Sequence, residues 1–512
     1  MGEYSLVIRG LKKYFGHVKA NDGIDLEVKT GTIHALVGEN GAGKTTLVKC
    51  LFGLHQPDAG EIYLWGERLH IASPQEALAK GIGMVHQHFM LAESLTVLEN
   101  IILGAEPGQG IGLAYADSKK KLQELCTRYG LEINLDAIVS DLPVGLQQRL
   151  EIMKVLYRGA RLIILDEPTA VLTLQETDRL FTILRDFKRD GRTVIFITHK
   201  LAEVKAVADE VTVIRDGKTV GSWPVEQVSE KQLARAMVGR DVKLEVEKEK
   251  ARPGRPVLEI TALSVAGVNG DQSIQDISFT IRAGEIFGVT GIAGNGQDAL
   301  VEGILGLRPV PAGEIKFLGE RVTNYPTSLL RQKGLCCIPG DRLKEGLVRE
   351  FSVWENAILG FQHTPAVKRG FFLSRSKIKN LAARIVKSFN VKIPDLDAPI
   401  TQLSGGNQQK LIIGRELQAS PALIIAVQPT RGVDIGAIEF IYQVLLEWRR
   451  QGAGILLVSN ELEEVLSLAD RIGIIHRGRF MAVGEPGQFS REEIGLMMAG
   501  LPAGSGGGEI VG

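Results

Sequence analysis

Residues 38–46 read Gly-Glu-Asn-Gly-Ala-Gly-Lys-Thr-Thr, a run whose residue types and spacing suit the binding of phosphate. The three glycines are expected to adopt positive φ and to bring the backbone close to a ligand. Their N–H groups then point into one concavity, where a following helix adds the positive end of its dipole. Lys44 is placed to reach the β- and γ-phosphates of a nucleotide, and the Thr45 hydroxyl is placed to ligate Mg²⁺.

The segments on either side supply the elements that this loop needs. Residues 33–37 (Ile-His-Ala-Leu-Val) predict a short buried strand, and residues 47–52 (Leu-Val-Lys-Cys-Leu-Phe) predict the start of a helix. Strand, loop and helix with the spacing G-x-x-x-x-G-K-[ST] form a P-loop. The alternative is a chance glycine-rich turn, and the flanking elements argue against it. We expect ATP contacts from Gly38, Glu39, Asn40, Gly41, Ala42, Gly43, Lys44, Thr45 and Thr46.

A second apolar run, residues 161–165, ends in the two carboxylates Asp166 and Glu167. In a P-loop ATPase we expect Asp166 to hold Mg²⁺ through water and Glu167 to polarise the attacking water. The alternative is a helix N-cap that follows a strand, which the sequence Asp-Glu-Pro-Thr also permits. The P-loop upstream favours the catalytic interpretation.

Two further polar residues follow predicted strands. Gln87, after Met84-Val85-His86, is placed to contact both Mg²⁺ and the γ-phosphate. His199 follows the apolar run 193–197, and we expect it to orient the γ-phosphate by a hydrogen bond, because the carboxyl end of a parallel strand is where ligands bind. The alternative is that His199 is a single histidine without a functional role.

The composition of the chain narrows the class of protein to which it can belong. The 512-residue chain has 60 Lys and Arg against 60 Asp and Glu, so its net charge is zero, which argues against nucleic acid as the main partner. Its four cysteines include no CxxC pair and predict reduced thiols in the cytosol. We find no apolar run near the roughly 20 residues of a membrane-spanning helix and no signal-peptide pattern at the N-terminus. A role at a membrane would therefore need other subunits to cross it.

The chain is an internal duplication, so two domains are predicted. The first glycine of the loop, Gly38, corresponds to Gly291 at an offset of 253 residues, and Asp166 corresponds to Val427 at an offset of 261. We expect the eight additional residues to lie in the loop 364–370. The predicted domains are residues 1–240 and 257–500, joined by a charged linker, 241–256, and followed by a Gly-rich tail, 501–512.

The second half carries Leu-Ser-Gly-Gly-Asn-Gln-Gln-Lys at residues 403–410, where Ser and two Gly at a helix start form another anion cradle. Together with the P-loop, Gln87, the Asp-Glu pair and His199, this stretch resembles the LSGGQ signature of the ATP-binding cassette (ABC) family. The resemblance spans residues 4–500. It implies an α/β fold with two tandem ABC-type P-loop NTPase cassettes, each a RecA-like core with an antiparallel β subdomain and a helical subdomain.

In that family two cassettes pair head to tail, and each nucleotide lies between the P-loop of one and the signature of the other. The resemblance therefore implies one site formed by the first P-loop with the signature residues Ser404, Gly405, Gly406 and Gln408. It also implies that Phe15 stacks on adenine.

The departures from the family pattern all fall on the other site. There Lys44 corresponds to Gln297, Thr45 to Asp298, Asp166 to Val427, Glu167 to Gln428 and His199 to Asn460, and the opposing signature has Pro143 and Val144 in place of Ser and Gly. We expect one hydrolytic site and one degenerate site.

A tandem cassette with this asymmetry resembles the ATPase subunits of bacterial importers for nucleosides or simple sugars, and the nucleoside branch is favoured. The resemblance implies ATP and Mg²⁺ as cofactors, membrane permease subunits near residues 87–104, an external substrate-binding protein as an indirect partner, and a peripheral place at the cytoplasmic face of the membrane. The rival class is a soluble tandem cassette acting on ribosomes or DNA. That class has two intact signatures and a long basic linker, which this chain lacks.

Overall fold

The computed structural model describes residues 3–86, 89–105, 115–169, 172, 174–241, 248–267 and 273–501. The chain divides into two compact units, Met1–Val242 and Lys243–Gly512, each of which has its own core. The predicted Gly-rich tail lies outside the described residues from position 502 onward.

The first unit contains the following elements. Its strands are β1 Tyr4–Phe15, β2 Val18–Lys29, β3 Ile33–Val37, β4 Ala59–Leu64, β5 Glu67–Arg68, β6 Ile82–Val85, β7 Leu162–Asp166, β8 Thr193–Ile197, β9 Glu210–Arg215 and β10 Lys218–Pro224. Its helices are α1 Lys44–Leu51, α2 Pro74–Ala79, α3 Val97–Ile102, α4 Tyr115–Tyr129, α5 Val144–Tyr157, α6 Leu174–Arg189, α7 Leu201–Val207 and α8 Glu230–Val238.

The second unit repeats this order and adds a short hairpin. Its strands are β11 Pro256–Val265, β12 Ile274–Arg282, β13 Ile286–Thr290, β14 Ala312–Phe317, β15 Glu320–Arg321, β16 Leu335–Ile338, β17 Lys368–Arg369, β18 Phe372–Leu373, β19 Leu423–Val427, β20 Gly454–Val458, β21 Arg471–His476 and β22 Arg479–Gly484. Its helices are α9 Gln297–Ile304, α10 Thr327–Gln332, α11 Val353–Asn356, α12 Arg375–Ser388, α13 Gly405–Leu417, α14 Ile435–Arg450, α15 Leu462–Leu468 and α16 Arg491–Met498.

Both units share one sheet topology. In the first unit the strand order is β10-β9-β3-β8-β7-β6, with β10 antiparallel to β9 and the remaining pairs parallel. A separate antiparallel sheet has the order β2-β1-β4-β5. The corresponding orders in the second unit are β22-β21-β13-β20-β19-β16 and β12-β11-β14-β15. The carboxyl ends of β3, β7 and β8 therefore meet at one edge, because these strands run in the same direction.

The sequence explains why the parallel sheet is buried on both faces. All five residues of β3, of β7 and of β8 are buried, as expected for continuous apolar runs in a parallel sheet. Successive side chains alternate between two cores. Ile164 packs in the cluster that contains the antiparallel sheet, whereas Ile163 and Leu165 pack in the cluster that contains α3 to α6. The predicted parallel core, antiparallel β subdomain and helical segment between β6 and β7 are confirmed.

The structure corrects two sequence-based expectations about the fold. The glycines at positions 60, 66, 81 and 83 predict short strands across residues 53–88, but Pro74–Ala79 within this range form the helix α2. The eight additional residues of the second unit do not all lie in the loop 364–370. The offset between units is 253 at the starts of β6 and β16, 256 at α3 and α11, and 261 at α5 and α13. Three residues were therefore gained between β16 and α11, where Arg342–Gly346 form a π-helical turn, and five between α11 and α13.

The end of the predicted linker contacts the second unit. Residues 242–247 lie outside the described residues, but Lys248 donates to the carbonyl of Ala469 and lies 3.6 Å from a carboxylate oxygen of Asp470. Arg449 donates to the carbonyl of Glu249 at 2.9 Å. The end of the predicted linker is therefore packed onto the second unit before β11 begins.

Candidate nucleotide site

The glycine-rich loop follows β3 directly, and α1 begins at Lys44. Gly41 and Gly43 have φ of 83° and 104°, as predicted, but Gly38 does not have positive φ. Gly38 is needed for a different reason, because a Cβ there would lie 2.2 Å from the carbonyl oxygen of Ile214 on β9. The expectation of positive φ at all three glycines was therefore wrong for Gly38, where close backbone packing excludes a side chain.

The ammonium group of Lys44 is held inside this loop. Its Nζ donates to the carbonyl oxygens of Gly38 at 2.7 Å and Glu39 at 3.0 Å, and the residue is only 6% exposed. Burial lowers the pKa of Lys44, and the nearby carboxylates of Glu167 and Asp166 act against that shift. A cation of this kind, buried at a helix N-terminus, is the group that a polyphosphate needs.

Asp166 and Thr45 are brought together where β7 ends beside α1. Burial, with a smaller contribution from Glu167, raises the pKa of the Asp166 carboxyl, whereas the hydrogen bond from the Thr45 side chain and the charge of Lys44 act to lower it. A hydroxyl and a carboxylate form the oxygen-only donor set that Mg²⁺ prefers. The residues present therefore fit Mg²⁺ at this position.

Glu167 lies next along the chain in an uncommon backbone conformation, with φ of 49°. Its N–H donates to the carbonyl of Ile197 on β8 at 3.0 Å, and its Oε1 lies 3.2 Å from Nδ1 of His199. Burial acts to raise the pKa of Glu167, but the hydrogen bond and charge of His199, with Lys44 and Lys200, lower it overall. The residue is therefore a carboxylate at neutral pH, in contact with the predicted histidine.

A buried carboxylate that sequence reasoning missed ties the two strand ends together. Glu203 on α7 accepts hydrogen bonds from the hydroxyls of Thr169 and Thr198, both at 2.6 Å. The Thr198 hydroxyl also accepts a hydrogen bond from the N–H of Lys200 at 3.1 Å. These bonds fix the segments that carry Glu167 and His199. In the sequence, Thr169 and Thr198 stand close to Glu167 and His199, but nothing in the sequence identifies Glu203 as the residue that they contact.

The remaining predicted contact residues are placed as follows. Phe15 is 45% exposed, with its ring edge-on to His55 at a centroid distance of 5.2 Å and Lys13 Nζ 5.5 Å from its centroid. Among the other loop residues, Gly41 is exposed, Glu39, Asn40, Thr45 and Thr46 are half-buried, and Ala42 and Gly43 are buried. Gln87 lies outside the described residues.

The signature segment begins a helix in the second unit. Ser404 is the exposed N-cap of α13, and its Oγ accepts a hydrogen bond from Asn407 at 2.9 Å. A Cβ at Gly405 would lie 2.7 Å from the guanidinium of Arg342, and one at Gly406 would lie 2.8 Å from the carboxylate of Asp434, so a side chain at either position would require its neighbour to shift. Gln408 is buried, as Gly406 is, and donates to the carbonyl of Ile400 at 3.2 Å. Its side chain therefore positions the helix start within its own unit.

The second unit has the same backbone conformation as the site of the first unit, but different side chains at the key positions. Gln297 donates to the Ile292 carbonyl at 2.9 Å, much as Lys44 bonds its own loop, but it brings no charge. Gln428 has φ of 42°, and its N–H donates to Val458 at 2.7 Å, as Glu167 does in the first unit. Burial raises the pKa of Glu345, and Asp341 and then Asp298 raise it further. Asp298, at the position where the first unit has Thr45, therefore lies near two further acidic residues.

The first unit also has an open cleft between α2 and α5, with a volume of about 360 Å³. Its apolar lining includes Leu78 and Val155, and charged groups stand at its edge. The corresponding helix positions of the second unit carry Arg331 and Glu416, whose side chains form an ion pair at 2.7 Å beneath the ring of Phe361. The two units therefore differ in their chemistry at these helix positions.

A P-loop with a buried lysine, a Thr–Asp pair and a Glu–His pair at the edge of a parallel sheet define a P-loop nucleoside triphosphatase. A family model described as ABC transporter matches residues 21–170 and 274–431, one stretch in each unit. The chain belongs to the ABC transporter family, and it is an ATPase of that family. Within the described ranges, no helix combines the length and apolar character that crossing a bilayer requires.

Similar proteins extend over almost the whole chain. It is 45% identical over 498 residues, 97% of this chain and 98% of the relative, to a guanosine import ATP-binding protein, NupO, of Bacillus subtilis. It is 45% identical over 488 residues, 95% of this chain and 96% of the relative, to a nucleoside import ATP-binding protein, NupA, of Lactococcus lactis. It is 40% identical over 478 residues, 93% of this chain and 89% of the relative, to a ribose import ATP-binding protein of Streptomyces avermitilis.

Proposed function

We propose that this chain is the energy-coupling ATPase subunit of an importer for nucleosides. The observation that carries the proposal is the joint placement of Lys44, Asp166, Glu167 and His199 around one P-loop in the first unit. The nucleoside cargo is supported by the two relatives at 45% identity whose names specify guanosine and nucleoside import. Relatives that import sugars, at 40% and 43% identity, support the competing cargo.

The residues of the first unit suggest how hydrolysis proceeds. Lys44 neutralises the β- and γ-phosphates, and the loop N–H groups hold them at the start of α1. Thr45 and Asp166, together with Gln87, would hold Mg²⁺, which would supply positive charge against the charge that develops on the phosphates. Glu167 accepts a hydrogen bond from the attacking water and polarises it, while His199 holds the carboxylate in place.

We further propose that the Ser404 loop contacts the phosphates of a bound nucleotide, with Gly405 and Gly406 allowing the backbone to approach them. This proposal rests on the family resemblance and on the exposed, serine-capped start of α13. The site based on Gln297 and Asp298 would bind nucleotide weakly, because it combines the loss of an ammonium with added negative charge.

The open cleft of the first unit is our candidate for permease docking. Its apolar floor and charged edge suit an amphipathic segment of a membrane protein. Residues 90 and 104 line it, which agrees with the docking region expected from the sequence. The chain would then lie at the cytoplasmic face of the membrane, and an external substrate-binding protein would act on it only through the permease.

Uptake of radiolabelled guanosine and ribose tests the proposal in cells that produce this chain with its permease subunits. We expect guanosine uptake with the wild type and none with Glu167→Gln. Uptake of ribose without guanosine would overturn the cargo. Normal guanosine uptake by the Glu167→Gln variant would overturn the energy-coupling role. Association with ribosomes in place of membranes would favour the rival class.

A further inference from the structure

The hairpin formed by β17 and β18 presents the most exposed apolar side chains of the described residues. Phe371 is 100% exposed, Phe372 is 80% exposed and Leu373 is 51% exposed. Gly370, with φ of 63°, precedes Phe371 in a two-residue turn, at the position where a type II′ hairpin turn takes glycine. Three adjacent apolar side chains in water at the tip of a hairpin indicate a surface with a partner.

The base of the hairpin is anchored to the second unit. Val367, just before β17, is fully buried, and its carbonyl accepts a hydrogen bond from the N–H of Ser374 at 2.9 Å. Lys377 on α12 donates to the carbonyl of Lys368 at 2.7 Å. The apolar tip is therefore displayed from a fixed support, which lowers the entropic cost of inserting it elsewhere.

The stretch of sequence that carries the hairpin is strongly basic. Residues 356–394 contain eight Lys and Arg and no Asp or Glu, whereas the equivalent residues 100–133 of the first unit contain four of each sign. Lys368 and Arg369 lie in the hairpin itself, with Arg369 exposed directly opposite Phe372. Asp397 forms ion pairs with Arg375 and Lys379, and among the residues that the structure describes no carboxylate forms an ion pair with Lys368 or Arg369.

From this combination we propose that the β17–β18 hairpin binds the surface of an anionic lipid bilayer, with Phe371 and Phe372 inserted at the headgroup level and the basic residues against lipid phosphates. Aromatic rings favour the membrane–water interface, and juxtaposed Lys and Arg are attracted to anionic leaflets. Inserted apolar side chains alone, or basic side chains alone, give weak and reversible membrane binding, and this hairpin carries both. Charge complementarity selects the lipid surface over a purely apolar protein groove, which would not require eight cations.

Co-sedimentation of the purified full chain with vesicles tests this assignment without permease or ATP. Binding to vesicles of phosphatidylglycerol and phosphatidylcholine is expected to exceed binding to phosphatidylcholine alone and to fall with added salt. Charge reversal of Lys368 and Arg369 to Glu is expected to lower the partition coefficient about tenfold or more. Phe371→Ser with Phe372→Ser is expected to lower it on both vesicle types.

Matched controls separate the hairpin from a general surface effect. Leu307→Ser removes a side chain that is 61% exposed outside the hairpin, and Lys80→Glu with Lys231→Glu reverses two exposed charges in the first unit. These variants are expected to bind as the wild type does, and all variants should keep the wild-type melting temperature.

Three results would overturn the assignment: no vesicle binding by the wild type, equal loss in the controls, or hairpin variants that bind lipid normally but fail only with vesicles containing permease. The last result would make the permease the occupant. Because the measurement uses lipid alone, its failure leaves the proposed transport function untouched.

Discussion

Replacement of Glu167 by Gln should abolish turnover while leaving ATP binding intact, and the chain itself shows why this change is a clean test. Gln already occupies the equivalent position 428, where it adopts φ of 42° and donates its N–H to the next strand at 2.7 Å. A glutamine therefore fits the backbone that Glu167 requires, with φ of 49° and a hydrogen bond of 3.0 Å. The substitution removes charge and basicity without removing the conformation.

The expected size of the effect follows from what Glu167 does. A positioned general base contributes about 100- to 10,000-fold to a rate, or about 2.7 to 5.4 kcal/mol of the barrier. Its pKa is lowered overall, because His199, Lys44 and Lys200 together outweigh burial, so the wild-type carboxylate is charged throughout the neutral range. We therefore expect phosphate release by Glu167→Gln to fall at least 100-fold.

Phosphate release and binding of a fluorescent ATP analogue by the purified chain provide the two readouts. The dissociation constant for the analogue should change by about twofold or less, because the phosphates contact the loop and not this carboxylate. The reciprocal change Gln428→Glu should restore nothing, because Val427 and Asn460 replace the aspartate and histidine beside it. Retention of more than a tenth of the wild-type rate by Glu167→Gln would refute the assigned role, as would a gain of activity in Gln428→Glu.

Three further outcomes follow from individual contacts. Lys44→Ala should weaken ATP binding about 10- to 150-fold in an equilibrium titration, because it removes charge-assisted bonds worth about 1.5–3 kcal/mol. Gly38→Ala should cost the first unit about 1–3 kcal/mol in thermal unfolding, because the new methyl meets the Ile214 carbonyl at 2.2 Å, and an unchanged melting temperature would contradict that packing. Burial raises the pKa of Glu464 from 4.5 to about 7, so this residue favours folding below pH 4.5 and that stability is lost as the pH rises towards 7. Glu464→Gln should therefore increase the free energy of unfolding at pH 8 by about 3 kcal/mol and raise the melting temperature there. Near pH 4.5 the same substitution should leave the melting temperature unchanged. An equal effect at both pH values would count against a buried charge at Glu464.

Strands and loops with strong local patterns could be predicted from the sequence. β3 and β8 begin and end where the sequence indicated, because each is a five-residue apolar run bounded by turn residues. The helix α2 was missed although its signal was present. Ser73 caps it by accepting a hydrogen bond from the N–H of Glu76 at 3.4 Å, and Pro74 is its first residue.

The residues that would contact nucleotide or water could be predicted, because each follows the end of a predicted strand. The residues that hold them in position could not be predicted. Glu203 bonds Thr169 across 34 residues of sequence, and no local pattern connects them. The sequence also did not show why position 38 must be glycine, because Ile214 becomes its neighbour only when β9 pairs with β3. Sequence spacing identifies groups that act together along one element, and tertiary pairing decides which groups hold them in place.

The second unit shows that a costly backbone conformation can outlast the chemistry that it once served. A non-glycine residue with positive φ costs of order 1–3 kcal/mol, yet Gln428 retains it with no carboxylate to present. Strand pairing therefore enforces this bend in both halves, whatever side chain occupies it. A duplicated enzyme built in this way can lose one reaction centre by side-chain replacement alone, while the backbone that surrounded that centre keeps its shape.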